Sequence, residues 1–289
     1  FPALMKAQTD FAPGEIMFVG YESDEMDTFS IVLLKDVLSG TVIYITDRGW
    51  SNSGAGFRTG TATAEGVINL TFNANYTCGK EIIFGKNTAP NPDVWEAKDV
   101  TGASMGTVSV IAGTNGGPDL DPTNGDQLFI YQLPVPIPTN QSSFVTAIHM
   151  DGGWAGAATS DANSAKPNGL QDYELVIFNT EVDNARYSCD PRMGTGDYLR
   201  SQITNENSAG FLRPDNANHW NENNNPLVLK TSCPFCCTTT SLSGPDVVST
   251  NQVFTINITG TLPPGESWQL YTAGCGVGSP VQTSMTNSF

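Results

Sequence analysis

The chain has 289 residues, of which 13 are Lys or Arg and 29 are Asp or Glu, giving a formal charge of −16 with only 15% charged residues. That length is enough to bury a sizeable core without help from a metal, and so acidic a surface repels phosphate backbones and anionic lipid, which argues against nucleic acid and membrane surfaces as partners and leaves divalent cations as better ones. With 29 glycines and 18 prolines, the composition is that of a turn-rich β protein rather than a helical bundle or coiled coil.

No apolar run approaches the roughly 18–20 residues of a membrane helix, so membrane insertion is not expected. Residues 1–10 read as a signal remnant or N-terminal tail. Phe1–Gln8 resembles the end of a secretory signal, with the small Ala7 before a cleavage point, and a ragged terminus is the alternative. Short segments rich in Val, Ile, Thr, Tyr and Phe then recur between Gly, Asn, Asp and Pro. The pattern predicts strands near Glu15–Tyr21, Phe29–Leu34, Thr41–Thr46, Gly66–Phe72, Glu81–Phe84, Thr107–Ile111, Gln127–Gln132, Phe144–Met150 and Tyr173–Phe178. One segment, Thr195–Ile203, spaces Tyr198, Leu199 and Ile203 as a helix does, with Thr195 or Asp197 as its cap. Nothing supports a parallel βαβ alternation. The expected fold is therefore all-β, an antiparallel sandwich with one short helix over residues 11–235.

A boundary falls at Cys233-Pro-Phe-Cys-Cys-Thr-Thr-Thr240, and residues 238–289 read as the first part of an Ig-like β module with four strand-like pieces. A complete module needs about 100 residues and about seven strands, so the expectation is an N-terminal piece of a longer protein. The six cysteines (Cys78, Cys189, Cys233, Cys236, Cys237 and Cys275) form an even set and suggest disulfides in an oxidising, extracellular compartment. Cys237 and Cys275 are the favoured pair within the terminal module, leaving the other four to staple the main domain.

Each chemistry-bearing pattern has a plainer alternative. Gly102-Ala-Ser104-Met-Gly106 matches a hydrolase nucleophile elbow, but the elbow needs a helix after its serine and a strand pattern follows here. A triad would have to recruit His149 or His219. Cys233-Pro-Phe-Cys236 has redox or zinc spacing, without the βαβ context or the second pair those sites require. The loop Asp119-Leu-Asp121-Pro-Thr-Asn124-Gly-Asp126 gathers hard oxygen ligands of the kind calcium takes, so Asp119, Asp121, Asn124 and Asp126 are the candidate calcium ligands; a solvated turn is the alternative. Glu22–Asp27 is a second carboxylate cluster on a loop. Asp161, Asp172 and Glu174 form no recognisable glycosidase pair. Sequons stand at Asn69, Asn75, Asn140 and Asn257. Asp47-Arg-Gly-Trp50 reads as a turn in which Asp47 accepts local backbone hydrogen bonds and Gly49 supplies a positive φ. Trp50 and Trp154 are expected to seal the sandwich ends; as the alternative, Trp50, Trp154 and Trp220 would face a carbohydrate ligand.

Several motifs occur in the order of a known family. Gly14-Glu-Ile-Met-Phe-Val-Gly-Tyr21, Asp27–Leu34 and Gly40-Thr-Val-Ile-Tyr-Ile-Thr-Asp-Arg-Gly-Trp50 resemble the opening of a secreted bacterial β-sandwich domain related to lamin tails. Phe57–Gly60, Asn124–Tyr131, Phe144–Trp154, Pro167–Leu170 and Asp215–Trp220 continue the match over about residues 14–230. Arg48 replaces the family's usual Asn, and the cysteines look like additions peculiar to this chain. The resemblance implies a domain at the front of large secreted or surface proteins, often exported by type IX secretion with Ig-like repeats behind, and it carries over no catalytic residue. The expected function is a non-catalytic module of an exported cell-surface or extracellular protein, serving adhesion, assembly or display, with other copies, other surface proteins or glycans as partners. A secreted carbohydrate-binding module or a hydrolase is the alternative.

Overall fold

The computed structural model describes residues 8–24, 27–52, 56–58, 65–87, 94–112, 116–132, 143–156, 158, 163–178, 181–188, 193–204, 220–223, 225, 229, 236–237, 241–243, 257–259, 268–270 and 282–284. The chain divides into two compact units, Phe1–Cys237 and Thr238–Phe289. In the first unit the strands are β1 (Ile16–Glu22), β2 (Thr28–Leu33), β3 (Val42–Thr46), β4 (Trp50–Ser51), β5 (Gly56–Phe57), β6 (Val67–Phe72) and β7 (Glu81–Asn87). They continue as β8 (Val94–Lys98), β9 (Gly106–Ala112), β10 (Gln127–Tyr131), β11 (Phe144–His149), β12 (Leu175–Ile177), β13 (Asn184–Tyr187) and β14 (Met193–Gly194). The helix α1 (Gly196–Ile203) follows, then β15 (Trp220–Asn223) and β16 (Cys236–Cys237).

Twelve of these strands build two six-stranded sheets, ordered β15-β13-β1-β2-β7-β8 and β12-β11-β10-β3-β6-β9, and β4 pairs with β5. The class is all-β and sandwich-like, as the turn-rich composition predicts. Within these two sheets one pairing departs from the antiparallel expectation: β12 runs parallel to β11, with Ala147 opposite Leu175. Parallel neighbours need a long crossover rather than a hairpin, and residues 150–174 supply it. Three strands of these sheets have weak sequence patterns and were not expected: β8, β13 and β15. Val-Trp-Glu-Ala-Lys, Asn-Ala-Arg-Tyr and Trp-Asn-Glu-Asn carry too many polar residues to stand out as strands, and ladder pairing to β7, β1 and β13 recruits them.

The core between the sheets gathers Phe18, Tyr21, Phe29, Ile31, Phe84 and Trp95 with Ile43, Ile45, Ile68, Leu70, Leu128, Ile130 and Ile148. Phe29 stacks on Phe84 at 4.7 Å. In β10 the residues between these, Phe129 and Tyr131, point to the other side of the sheet. There they meet Trp50, Phe57, Phe144, Leu170 and Leu175 in a second apolar cluster. The second sheet is thus buried on both faces at its centre, which is why β10 and β11 read as continuous apolar runs. Trp50 therefore caps the outer face of a sheet, not a sandwich end. The ring meets Phe57 edge-on at 5.2 Å and Phe144 at 4.9 Å.

The helix lies where the apolar spacing predicts, and Thr195 is its cap: its Oγ1 accepts the Tyr198 N–H at 3.1 Å. Leu199 and Ile203 are its buried residues. β16 runs parallel to β14, so Cys237 belongs to the first unit rather than to the terminal module. The second unit contains two antiparallel pairs, β17 (Ser241–Ser243) with β18 (Asn257–Thr259) and β19 (Trp268–Leu270) with β20 (Gln282–Ser284). Among the described residues no helix is long and apolar enough to cross a membrane.

Candidate functional site

The most organised polar constellation lies where β3 ends and β10 begins. Asp47, the first residue after β3, is fully buried. Its Oδ1 accepts the Gly66 N–H and its Oδ2 the Asp119 N–H, each at 2.7 Å. Its own carbonyl oxygen accepts from Gln127 Nε2. One carboxylate thus ties the loop before β6 to the loop before β10. The contact is between distant segments and not the local turn that the Asp-Arg-Gly-Trp pattern suggests. Gly49 has no positive φ either; a Cβ there would lie 2.5 Å from the Asn163 carbonyl oxygen, so glycine is required for close approach.

Beside Asp47, the buried Asp126 accepts the Gln127 N–H at 2.7 Å and Gln127 Nε2 at 2.8 Å on Oδ1. Asp27 holds the same loop that Asp47 holds. Its Oδ2 takes Lys86 Nζ at 2.8 Å and its Oδ1 takes the Leu120 N–H at 3.2 Å. The same ammonium reaches Asp119 Oδ1 at 2.9 Å. Burial drives the electrostatics here. It pushes the Asp27 carboxyl up to about 6, against the pull of Lys86. It pushes Asp47 up to about 7, against the two backbone donors. Burial and then the Asp47 charge raise Asp126 well above the carboxylate range. Burial would lower Lys86, but its two carboxylate partners outweigh it and hold the ammonium charged.

The calcium candidates are taken up by protein hydrogen bonds, partly among themselves, the Asp121 N–H donating to Asp126 Oδ2 at 3.4 Å. Asp119 turns to Lys86, Asp126 to Gln127, and Asp121 accepts from the Thr123 N–H at 2.7 Å and Asn124 Nδ2 at 2.9 Å in its own turn. Among the described residues no three His, Cys, Asp or Glu side chains are grouped as a metal site would group them. A second acidic group adjoins this loop. Burial and a hydrogen bond with Asp183 push Glu181 up to about 7, and the charges of Asp151 and Asp121 add to the effect.

The hydrolase pair is not brought together. Ser104 lies just before β9, whose first residue pairs with Phe72 at one end of the second sheet. His149 pairs with Gln127 at the other end, beyond the Phe129–Thr46–Val67 row. Ser104 is exposed; its hydroxyl bonds to Gly106, its carbonyl accepts from Asn73 Nδ2 at 3.2 Å, and it bridges to Lys98. His149 is buried, its Nδ1 accepts the Asp151 N–H, and burial lowers its pKa to about 4. An elbow serine with a nearby histidine base is therefore not the arrangement present. His219 and Asp161 lie outside the described residues.

Two of the three tryptophans have no face to offer a glycan. Trp50 and Trp220 are each 2% exposed. Trp50 Nε1 donates to Asn52 and Trp220 Nε1 to the Ile203 carbonyl. Trp154 is half-buried and packs on Phe129 and His149. Of the described residues, Cys78 is disulfide-bonded. Cys189, Cys233 and Cys275 lie outside them, as do the side chains of Cys236 and Cys237.

The loop Asp119–Asp126 was legible as acidic, and Glu22–Asp27 likewise. The parts that join them were not. Lys86 is a lone cation in a strand, Gln127 looks like a strand residue, and Asp47 looks like a turn former. Asp151, Glu181 and Asp183 are scattered singly. The one available signal is a carboxylate directly abutting an apolar strand at Thr46-Asp47. Compared with family models, with curated proteins and with solved structures, the chain finds no match.

Proposed function

We propose that the chain is a non-catalytic module of an exported surface or extracellular protein, serving adhesion, assembly or display. The observation that carries this reading is how the chain's best-organised carboxylates are used. Asp27, Asp47 and Asp126 are buried and occupied by the protein's own N–H and ammonium groups, so they hold loops in place instead of meeting a substrate. The separation of Ser104 from His149 weakens the hydrolase alternative, and the burial of Trp50 and Trp220 weakens the carbohydrate platform. The disulfide at Cys78 supports an oxidising destination, and the motif order shared with secreted lamin-tail-like domains supports a surface protein of the kind exported by type IX secretion. Partners on this reading are other copies or other surface proteins. If an ion enters the loop, calcium through Asp119, Asp121, Asn124 and Asp126 is the expected one. It would then raise the melting temperature over that in EDTA.

The test is a panel of esters and glycans assayed with the wild-type protein and with Ser104→Ala, an exposed position whose change leaves the fold intact. No turnover is expected. Turnover that Ser104→Ala abolishes would overturn the reading.

A further inference from the structure

The outer strands of a sheet present unpaired N–H and C=O groups, and natural proteins guard them with charge, proline or brevity. Three of the four outer strands here are guarded. β8 carries Glu96 and Lys98, β15 carries Glu222, and β12 is three residues long and largely buried. β9 has none of these protections. It is seven residues of Gly-Thr-Val-Ser-Val-Ile-Ala, exposed along most of its length, with Val110 at 40% and Ile111 at 37% exposure. Just before β9 the chain bridges to the end of β8, with the Met105 N–H donating to the Ala97 carbonyl and Ser104 opposite Lys98, and β8 packs near β9 without forming a ladder to it. From Gly106 onward β9 has one ladder, to β6, and among the described residues no strand pairs with its other edge.

Its surroundings are uncharged as well. From Val100 to Pro118 the chain carries no Asp, Glu, Lys, Arg or His, in a protein whose net charge is −16. A charged partner strand would find nothing there to pair with. An identical strand would find a neutral, β-branched surface, on the one long edge where two copies meet without like charges facing each other. We propose that β9 pairs antiparallel with β9 of a second copy about a two-fold axis, joining the two β6–β9 sheets into one continuous sheet. This rests on the surface-module reading and names its partner as the chain itself. A two-fold centred on Ser109 sets Val108 of each copy opposite Val110 of the other, and such an isologous contact closes as a dimer.

Sedimentation equilibrium on the whole chain in roughly 150 mM salt, where charge is screened beyond about 8 Å, tests the pairing. Wild type is expected to dimerise at micromolar concentration. Ser109→Lys and Ser109→Glu, both at an exposed position, are each expected to weaken the dimer at least tenfold. A one-to-one mixture of the two variants is expected to recover it, because the two-fold places residue 109 against its twin. A wild type that stays monomeric to about 100 μM overturns the pairing and leaves the surface-module reading standing. So does a dimer that both variants leave intact, since it then forms through another surface. Ester or glycan turnover abolished by Ser104→Ala would overturn that reading without touching the dimer.

Discussion

The Asp47 carboxylate accepts the backbone N–H of Asp119 at 2.7 Å, across 72 residues of chain. With the Gly66 N–H on its other oxygen, this side chain has no spare acceptor to lose. Asp47→Asn keeps the shape but turns one oxygen into an NH2 group facing an N–H donor. Leaving one buried donor unsatisfied costs about 1–3 kcal/mol, and the variant is expected to lose that much in urea unfolding. An unchanged midpoint would mean that the two hydrogen bonds hold nothing.

Stability is expected to fall as pH rises from about 4.5 to 7. Asp27 titrates near 6 in the folded protein and Asp47 and Glu181 near 7, and Asp126 is also raised. Each folded pKa lies above its unfolded value, so in this window the folded state holds more protons and loses stability as they leave. His149 opposes them, because its folded pKa of about 4 lies below the unfolded value. One histidine is outnumbered by four carboxyls. The melting temperature at pH 5 is expected to exceed that at pH 8, and Asp47→Asn is expected to shrink the difference. A melting temperature that climbs from pH 5 to pH 8 would contradict this assignment.

What the sequence revealed follows from where the relevant forces act. Val67-Ile-Asn-Leu-Thr-Phe72 and Thr41–Thr46 announce themselves as strands because half of each faces the core, and burial is local to the pattern. Thr195 and the Leu199–Ile203 spacing mark the helix for the same reason. By contrast, β13 is a strand through its pairing with β1, with Gly20 opposite Arg186, and that register joins positions more than 160 residues apart. The acidic site is of this second kind. Asp47 and Asp119 meet only after β3 has paired with β10, and Lys86 and Asp27 only after β2 has paired with β7, and no spacing rule connects them.

Lys86→Met is expected to be more damaging than a surface lysine change. Its ammonium is largely buried between Asp27 and Asp119. Removing one member of a buried pair leaves an uncompensated charge and costs about 3–5 kcal/mol. Asp27 already titrates near 6 and escapes that cost by taking up a proton, so the loss is expected to be greater at pH 8 than at pH 5. Thermal unfolding of both proteins at the two pH values checks this. Equal losses at both would show that Asp27 is not the group left exposed to the penalty.

Trp50 separates a packing role from a ligand role. Its ring is buried against Phe57 and Phe144, and Trp→Ala in such a site costs about 3–5 kcal/mol. Trp50→Ala is expected to lose that stability, while the half-buried Trp154→Ala loses less. Guanidinium unfolding ranks the two. A Trp50→Ala protein of normal stability that had lost binding to a glycan array would restore the platform reading.

Gly66 is where the loops held by Asp47 touch. A Cβ added there would lie 2.2 Å from the carbonyl carbon and oxygen of Gly117 and 2.5 Å from its Cα. Those are backbone atoms and cannot swing aside, so Gly66→Ala must push the loop before β6 away from the loop before β10. The Asp47 carboxylate spans that same gap, from the Gly66 N–H to the Asp119 N–H, and one or both hydrogen bonds must lengthen. The expected loss is about 3 kcal/mol or more, at the upper end for a single substitution. Gly156→Ala, where an added Cβ meets nothing within 4 Å, is expected to be close to neutral and serves as the control. Because the two changes break the same contact, Gly66→Ala combined with Asp47→Asn should cost less than their sum. Urea unfolding of the four proteins measures that coupling, and strict additivity would show that the Gly66–Gly117 contact and the Asp47 hydrogen bonds hold the loops independently.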